Sequence, residues 1–241
     1  MAREPDWSGP DLSAVGALLA DPARIAIIMA LAGGTELSPG ELARRAGIAP
    51  STASHHVARL VEAGWLSVHV SGRHRLYRLA SADVADLLER IARLAPERPV
   101  VSLRGDRQRS QLRLARCCYD HMAGRLGVTV AAGLLRAGYV VGDGEALRVT
   151  DAGWRWIAEE GIELDRAKVG RELARPCMDW TEQGLHIAGA FGRALMEHWL
   201  DRGWIERRSG SRALEVTSAG AQELLRLGVD WGGDARPARV A

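Results

Sequence analysis

The feature that most constrains this chain is an internal duplication. Residues 124–140 (GRLGVTVAAGLLRAGYV) align without a gap on residues 189–205 (GAFGRALMEHWLDRGWI), so that Gly127 falls on Gly192, Leu135 on Leu200, Gly138 on Gly203 and Tyr139 on Trp204. Upstream, Cys118 and Asp120 match Cys177 and Asp179, and His121 matches His186 after an insertion in the second copy. Downstream, residues 147–153 (LRVTDAG) match residues 214–220 (LEVTSAG). A fixed internal repeat means that one supersecondary unit is used twice, a tandem duplication.

The N-terminal third ends in a similar cadence. Ala63-Gly64-Trp65-Leu66 is followed by a short charged excursion and then by Tyr77-Arg78-Leu79-Ala80-Ser81-Ala82. All three stretches are predicted to be a helix closed by glycine, a two-stranded hairpin, and a new helix capped by Ser81, Asp151 or Ser218. That is the tail of a winged helix. The hairpin turns differ in charge: SGRHR at 71–75 and RRSGSR at 207–212 are basic, whereas GDGE at 142–145 is acidic. Only the first and third suit a phosphate backbone.

Between Asp21 and Trp65 apolar residues recur with helical period in three runs. Residues 23–31 form the first. The second, 38–46, opens with SPGE, a capping box with Pro39 at the first helical position and Glu41 at the third. The third, 50–63, turns Ala53, Val57, Leu60 and Val61 toward a core. Gly47-Ile48-Ala49 joins the last two runs, a connection of helix-turn-helix length. The opposite face of the third run carries Ser51, Thr52, Ser54, His55 and Arg59: short donors and acceptors for base edges at the helix start, then a cation for phosphate.

Residues 12–95 resemble the winged-helix repressors of the arsenical-resistance-repressor (ArsR) family. The likeness rests on LLADPARIAIIMALA, on ELARRAGIAPSTASHHVARLVEAGWL and on the wing SGRHRLYRL, and the family's recognition-helix cadence stands here as Ser51-Thr52-Ala53-Ser54-His55-His56-Val57. It implies a DNA-contact set of Ser51, Thr52, Ser54, His55, His56 and Arg59 with Arg73, His74 and Arg75 on the wing. It also implies a homodimer built from the flanking helices, 12–20 and 82–94. The places where many family members bind metal read GELARRAG and SADVADLLERIARL, without Cys or His, so no metal is expected at the usual positions.

Composition adds bounds. The chain has 241 residues, 47% hydrophobic and 26% charged, enough for a globular core. Whole-chain charge, 32 basic against 30 acidic residues, points to no partner, but residues 40–80 hold six arginines, two glutamates and four of the seven histidines. That is a local electrostatic footprint for nucleic acid. Three cysteines cannot form a secreted-type disulfide framework, the N-terminus lacks a signal-peptide pattern, and the apolar run 25–32 is too short to span a bilayer, so a cytoplasmic protein is expected.

The expected fold is mainly α with small β-hairpin wings (α+β). Its expected parts are a winged helix-turn-helix at 1–95, a linker at 96–110, winged-helix-like repeats at 111–165 and 166–231, and a disordered tail at 232–241. The linker holds two prolines and opens an arginine-rich stretch, 98–116, that reads as a solvated connector or a phosphate-contacting arm.

The expected function is a sequence-specific transcriptional regulator, a repressor released by an effector sensed in the C-terminal half, and not an enzyme. Cys118, His121, Cys177 and His186 are the candidate effector or metal ligands: Cys118 and His121 share a face if their segment is helical, and the two pairs together supply the four ligands of a tetrahedral soft-metal site. The alternative is that all four are buried core residues, with Asp120 and Asp179 capping or orienting the histidines. Trp154, Trp156, Trp180, Trp199, Trp204, Tyr139 and Phe191 offer a cleft for a small organic effector instead. Two other functions compete: a DNA-directed enzyme using a Cys/His pair as nucleophile and base, and a scaffold whose winged helices mediate protein contacts.

Overall fold

The computed structural model describes residues 9–97, 99–164 and 173–231. They fall into two compact units, one within Met1–Leu31 and Glu36–Ala80, the other within Ala32–Thr35 and Ser81–Ala241.

The first unit is a winged helix-turn-helix. Helix α1 (Leu12–Leu19) starts at Asp11, whose carboxylate accepts the amides of Ser13 and Ala14. Helix α2 (Pro22–Leu31) starts the same way at Asp21, which accepts from Ala23 and Arg24. The Arg24 guanidinium then donates to the carbonyls of Leu18 and Ala17, satisfying acceptors that the end of α1 leaves open. Helix α3 (Pro39–Ala46) begins with the expected capping box: Ser38 accepts from the Glu41 amide while the Glu41 carboxylate takes the Ser38 amide at 2.9 Å. Helix α4 (Pro50–Glu62) packs with α2 and α3 over Ile27, Ile28, Leu31, Leu42, Ala53, Val57 and Leu60. Strands β1 (Leu66–Ser71) and β2 (His74–Leu79) pair from Leu66↔Leu79 to Ser71↔His74. A two-residue turn is left, and Gly72, at φ 61°, takes the left-handed position such a turn places first. Leu37 bridges to Tyr77 as a short third edge.

The second unit opens with α5 (Ala82–Leu94), capped by Ser81 as expected, and α6 (Leu103–Leu114), capped by Ser102. Helix α6 corrects the linker expectation: residues 103–110 are helical, and the compact units part between Ala80 and Ser81 instead of at 95/96. Apolar periodicity could not reveal this helix, because it buries none of its residues.

The duplication is structural as well. Copy one runs β3 (Arg116–Cys118), β4 (His121–Ala123), α7 (Gly124–Arg136), β5 (Val140–Gly142), β6 (Leu147–Val149) and α8 (Asp151–Glu160). Copy two runs β7 (Arg175–Met178), β8 (Leu185–Ala188), α9 (Gly189–Asp201), β9 (Ile205–Arg207), β10 (Leu214–Val216) and α10 (Ser218–Arg226). Each copy therefore carries a second hairpin ahead of its first helix, in place of the helix pair of a winged helix. The helix starts shift by one residue from expectation. Thr150 and Thr217 are the caps, accepting from the amides of Gly153 and Gly220 at 3.0 and 3.1 Å, and Asp151 and Ser218 are the first helical residues.

The copies are interleaved. Helix α7 packs on the hairpin strand β8 of the other copy, and α9 packs on β4. A Cβ added at Gly127 would meet the His186 Cβ at 3.2 Å, and one added at Gly192 would meet the His121 Cβ at 3.2 Å, a reciprocal pair of close approaches. Leu126, Leu134, Phe191, Leu195 and Trp199 fill the shared core. The boundary expected between the repeats at 165/166 and the expected disordered tail both fall outside the described residues. No single helix among the described residues is long and apolar enough to cross a membrane.

Candidate DNA-binding face and buried Cys/His centre

Helix α4 divides by period. Ala53, His56, Val57 and Leu60 are buried, while Ser51, Thr52, Ser54, His55 and Arg59 are exposed on the opposite side. His56 therefore corrects the expected DNA-contact set: it is 8% exposed, its Nε2 lies 3.9 Å from an Asp21 oxygen, and it cannot reach a groove from there. Ser54 donates its hydroxyl to the Pro50 carbonyl at 2.9 Å, which leaves its oxygen lone pairs facing outward as acceptors. The N-cap position of α4 is Ala49, whose side chain offers no acceptor, so the amides of the first turn are left without a side-chain cap. On the wing, Arg73, His74 and Arg75 are all exposed. The hairpin of β9 and β10 is less available than its basic sequence implied, because Arg208 pairs with Glu215 at 2.7 Å and Arg212 with Glu89 at 3.1 Å.

The four Cys/His candidates converge. Cys118 Sγ, Cys177 Sγ and one ring nitrogen each of His121 and His186 all lie within 4.8 Å of one another, and all four residues are buried. The route differs from the helical spacing considered for Cys118 and His121: both pairs sit on hairpins, where Cys118 faces His121 and Cys177 faces His186 across the strands. The interleaved helices bring the hairpins together, with the imidazoles stacked at 5.1 Å between centroids.

Duplicated carboxylates back the histidines. Asp120 lies 3.1 Å from His121 Nδ1 and is held by Arg193 at 2.9 Å. Asp179, fully buried, lies 3.7 Å from His186 Nδ1 and accepts from Arg116, Thr181 and the amides of Gly124, Thr181 and Glu182. Burial works against ionising Asp179, yet the Arg116 charge and these donors hold its pKa at about 2. Burial likewise works against a charged His121, but the Asp120 carboxylate and Cys177 beside it push it up to about 9. Cys118 is driven up by Cys177 and by burial, while Cys177 is driven down, chiefly by Cys118 and then by the two histidines.

Arg116, expected as the end of a solvated or phosphate-contacting arginine stretch, is corrected by the structure. It is fully buried, donates to Asp179 at 2.9 Å and to Glu89 of α5 at 3.3 Å, and stacks over Trp180 at 4.9 Å. The available signal was a lone cation inside the apolar stretch Ala115–Cys118. The aromatic cleft does not form from the residues expected to line it: Phe191 and Trp199 are core, Tyr139 stacks on Trp156, and Trp204 packs edge-on against Trp199. The unmatched Cys117 is also buried, which pushes its thiol up to about 11.

A helix pair whose first member is capped, an exposed polar row at the start of its second helix and a two-stranded basic wing define a DNA-binding transcriptional regulator with a winged helix-turn-helix. Residues 19–69 match a family described as a helix-turn-helix domain. The chain is 40% identical over 212 residues to the HTH-type transcriptional regulator YdfF of Bacillus subtilis (strain 168), covering 88% of this chain and 94% of that protein. It belongs to that family of HTH-type transcriptional regulators. Among solved structures, the transcriptional repressor BigR from Xylella fastidiosa is 26% identical, covering 36% of this chain and 89% of its own, with a TM-score of 0.33. A homodimeric winged helix-turn-helix domain of Mycobacterium bovis, described as that of a possible ArsR-family regulator, is 26% identical, covering 35% of this chain and 84% of its own at a TM-score of 0.31.

Proposed function

We propose that this regulator is a cytoplasmic homodimeric repressor that reads an operator with α4, grips phosphate with its first wing, and is released by an effector sensed in the C-terminal half. The observation that carries the reading is the exposed row Ser51, Thr52, Ser54, His55 and Arg59 at the uncapped end of α4. An inverted-repeat operator with half-sites about one helical turn apart follows from a twofold pair of such helices. Two exposed apolar side chains on the flanking helices support dimerisation: Leu12 on α1 is 66% exposed and Leu94 on α5 is 87% exposed. Burial of Cys118, and the convergence of Cys177 with it and the two histidines on one centre, support a non-enzymatic reading, since a nucleophilic thiolate must be free to meet a substrate.

The test is binding of the purified chain to the DNA flanking its own gene and to random duplex of equal length. Ser54→Ala with His55→Ala is expected to cut operator affinity by tenfold or more while leaving random-duplex affinity unchanged, since each good base contact is worth about 1–3 kcal/mol. Equal weakening on both duplexes would overturn the assignment of α4 as the reading helix.

A further inference from the structure

We propose that Cys118, His121, Cys177 and His186 bind one zinc ion, which pins the two C-terminal repeats together. Nothing in the DNA-binding reading requires this ion, and its test is read without DNA.

Four observations converge on it. The donor atoms lie within 4.8 Å of one another, while a tetrahedral site with bonds of about 2.0–2.3 Å has edges of roughly 3.3–3.8 Å. Closing the set around an ion therefore takes movements of side-chain size. The donors are also orphaned: Nε2 of His121 and both ring nitrogens of His186 are buried without a hydrogen-bond partner, an arrangement that costs free energy unless something else meets them. The carboxylates stand where a metal site needs them. Asp120 lies at hydrogen-bond distance from His121 Nδ1, 3.1 Å, which fixes that ring's orientation, raises its basicity as a ligand and leaves its Nε2 for the metal, while Asp179 sets a negative charge 3.7 Å from His186 Nδ1. Lastly, the pattern is duplicated as a whole, with Cys, Asp and His in the same order in each copy and a glycine of each copy making room for the other's histidine.

The donor set selects the ion. Two thiolates and two imidazoles in a tetrahedral, buried arrangement suit zinc, whereas calcium and magnesium need oxygen ligands. All four positions are filled by protein, so no place remains for a bound water, and the centre is structural rather than hydrolytic. An entry path exists: Cys177 lines a cleft of about 220 Å³ with Asp86, Glu89, Arg90 and Arg175. The hairpins that carry the ligands also hold α5, through Arg175 with Asp86 and Arg116 with Glu89.

The experiment measures metal in the full-length chain purified without chelator, then removes it and titrates with Co2+ as a spectroscopic probe. About one equivalent of zinc per chain is expected, and Co2+ should give visible bands of tetrahedral intensity with thiolate charge transfer in the near ultraviolet. Cys117→Ser should keep the full equivalent, and Cys177→Ala should lose it. Because Cys177→Ala also removes a buried side chain, His186→Cys serves as a second variant: it should retain Co2+ with stronger thiolate charge transfer. A wild-type chain that carries no zinc and gives no tetrahedral Co2+ spectrum would overturn the proposal. So would a mass lower by two hydrogens, marking a Cys118–Cys177 disulfide in the folded chain as isolated, or a Cys177→Ala variant that keeps its zinc.

Discussion

At the scale of single residues, two side chains carry more than their neighbours. The Glu41 carboxylate is held below the ordinary glutamate value of 4.5, first by the Ser38 hydroxyl and then by the Ser38 amide. A group lowered on folding contributes stability above its unfolded pKa and loses it as pH falls through the folded one. Unfolding titrations from neutral pH to about pH 3 should therefore show a shallower acid-side decline in Glu41→Gln than in the wild type, and Ser38→Ala should cost about 1 kcal/mol at neutral pH. Arg116→Met should cost about 3–5 kcal/mol in urea unfolding, because it leaves the buried Asp179 carboxylate without its cation and Glu89 with Arg212 alone. The capping box was legible in four letters of sequence. The burial of His56 was legible too, since positions 53, 56, 57 and 60 lie on one helical face, and the family cadence overrode that plain geometry. Arg116 was not legible, because its partners stand 27 and 63 residues away in the chain.

At the scale of elements, the wing makes the sharpest prediction. Arg73→Ala with Arg75→Ala should weaken binding to operator and random duplex alike and reduce the log–log salt slope by roughly 0.9 for each phosphate that the variant no longer neutralises. An unchanged slope would place the wing off the backbone. Element identity came from the sequence where local chemistry decides it: the turn around Gly72, the glycine-closed helices, the Ser81 cap. It failed where the period was absent or too short to read. Helix α6 has no apolar stripe, and strands β3 and β4 span three residues each, so the spacing of Cys118 and His121 fitted a helix turn as well as a hairpin.

At the scale of the whole molecule, the matched letters of the repeat revealed that two copies exist but not how they engage. The glycines were the hidden clue. An added Cβ at Gly127 lies 2.3 Å from the Met122 carbonyl, and one at Gly192 lies 2.2 Å from that of Ile187, so the backbone must give way in either case. Gly127→Ala and Gly192→Ala should each destabilise the C-terminal half by about 1–3 kcal/mol or more. Calorimetry should find both copies melting in one transition, whichever glycine is changed. A chain with only one copy would lack the second hairpin against which its helix packs, and it would hold two of the four donors. The duplication puts both halves of this arrangement in one polypeptide, so the two copies need not be identical. The acidic turn of the first copy and the basic turn of the second are the mark of that freedom.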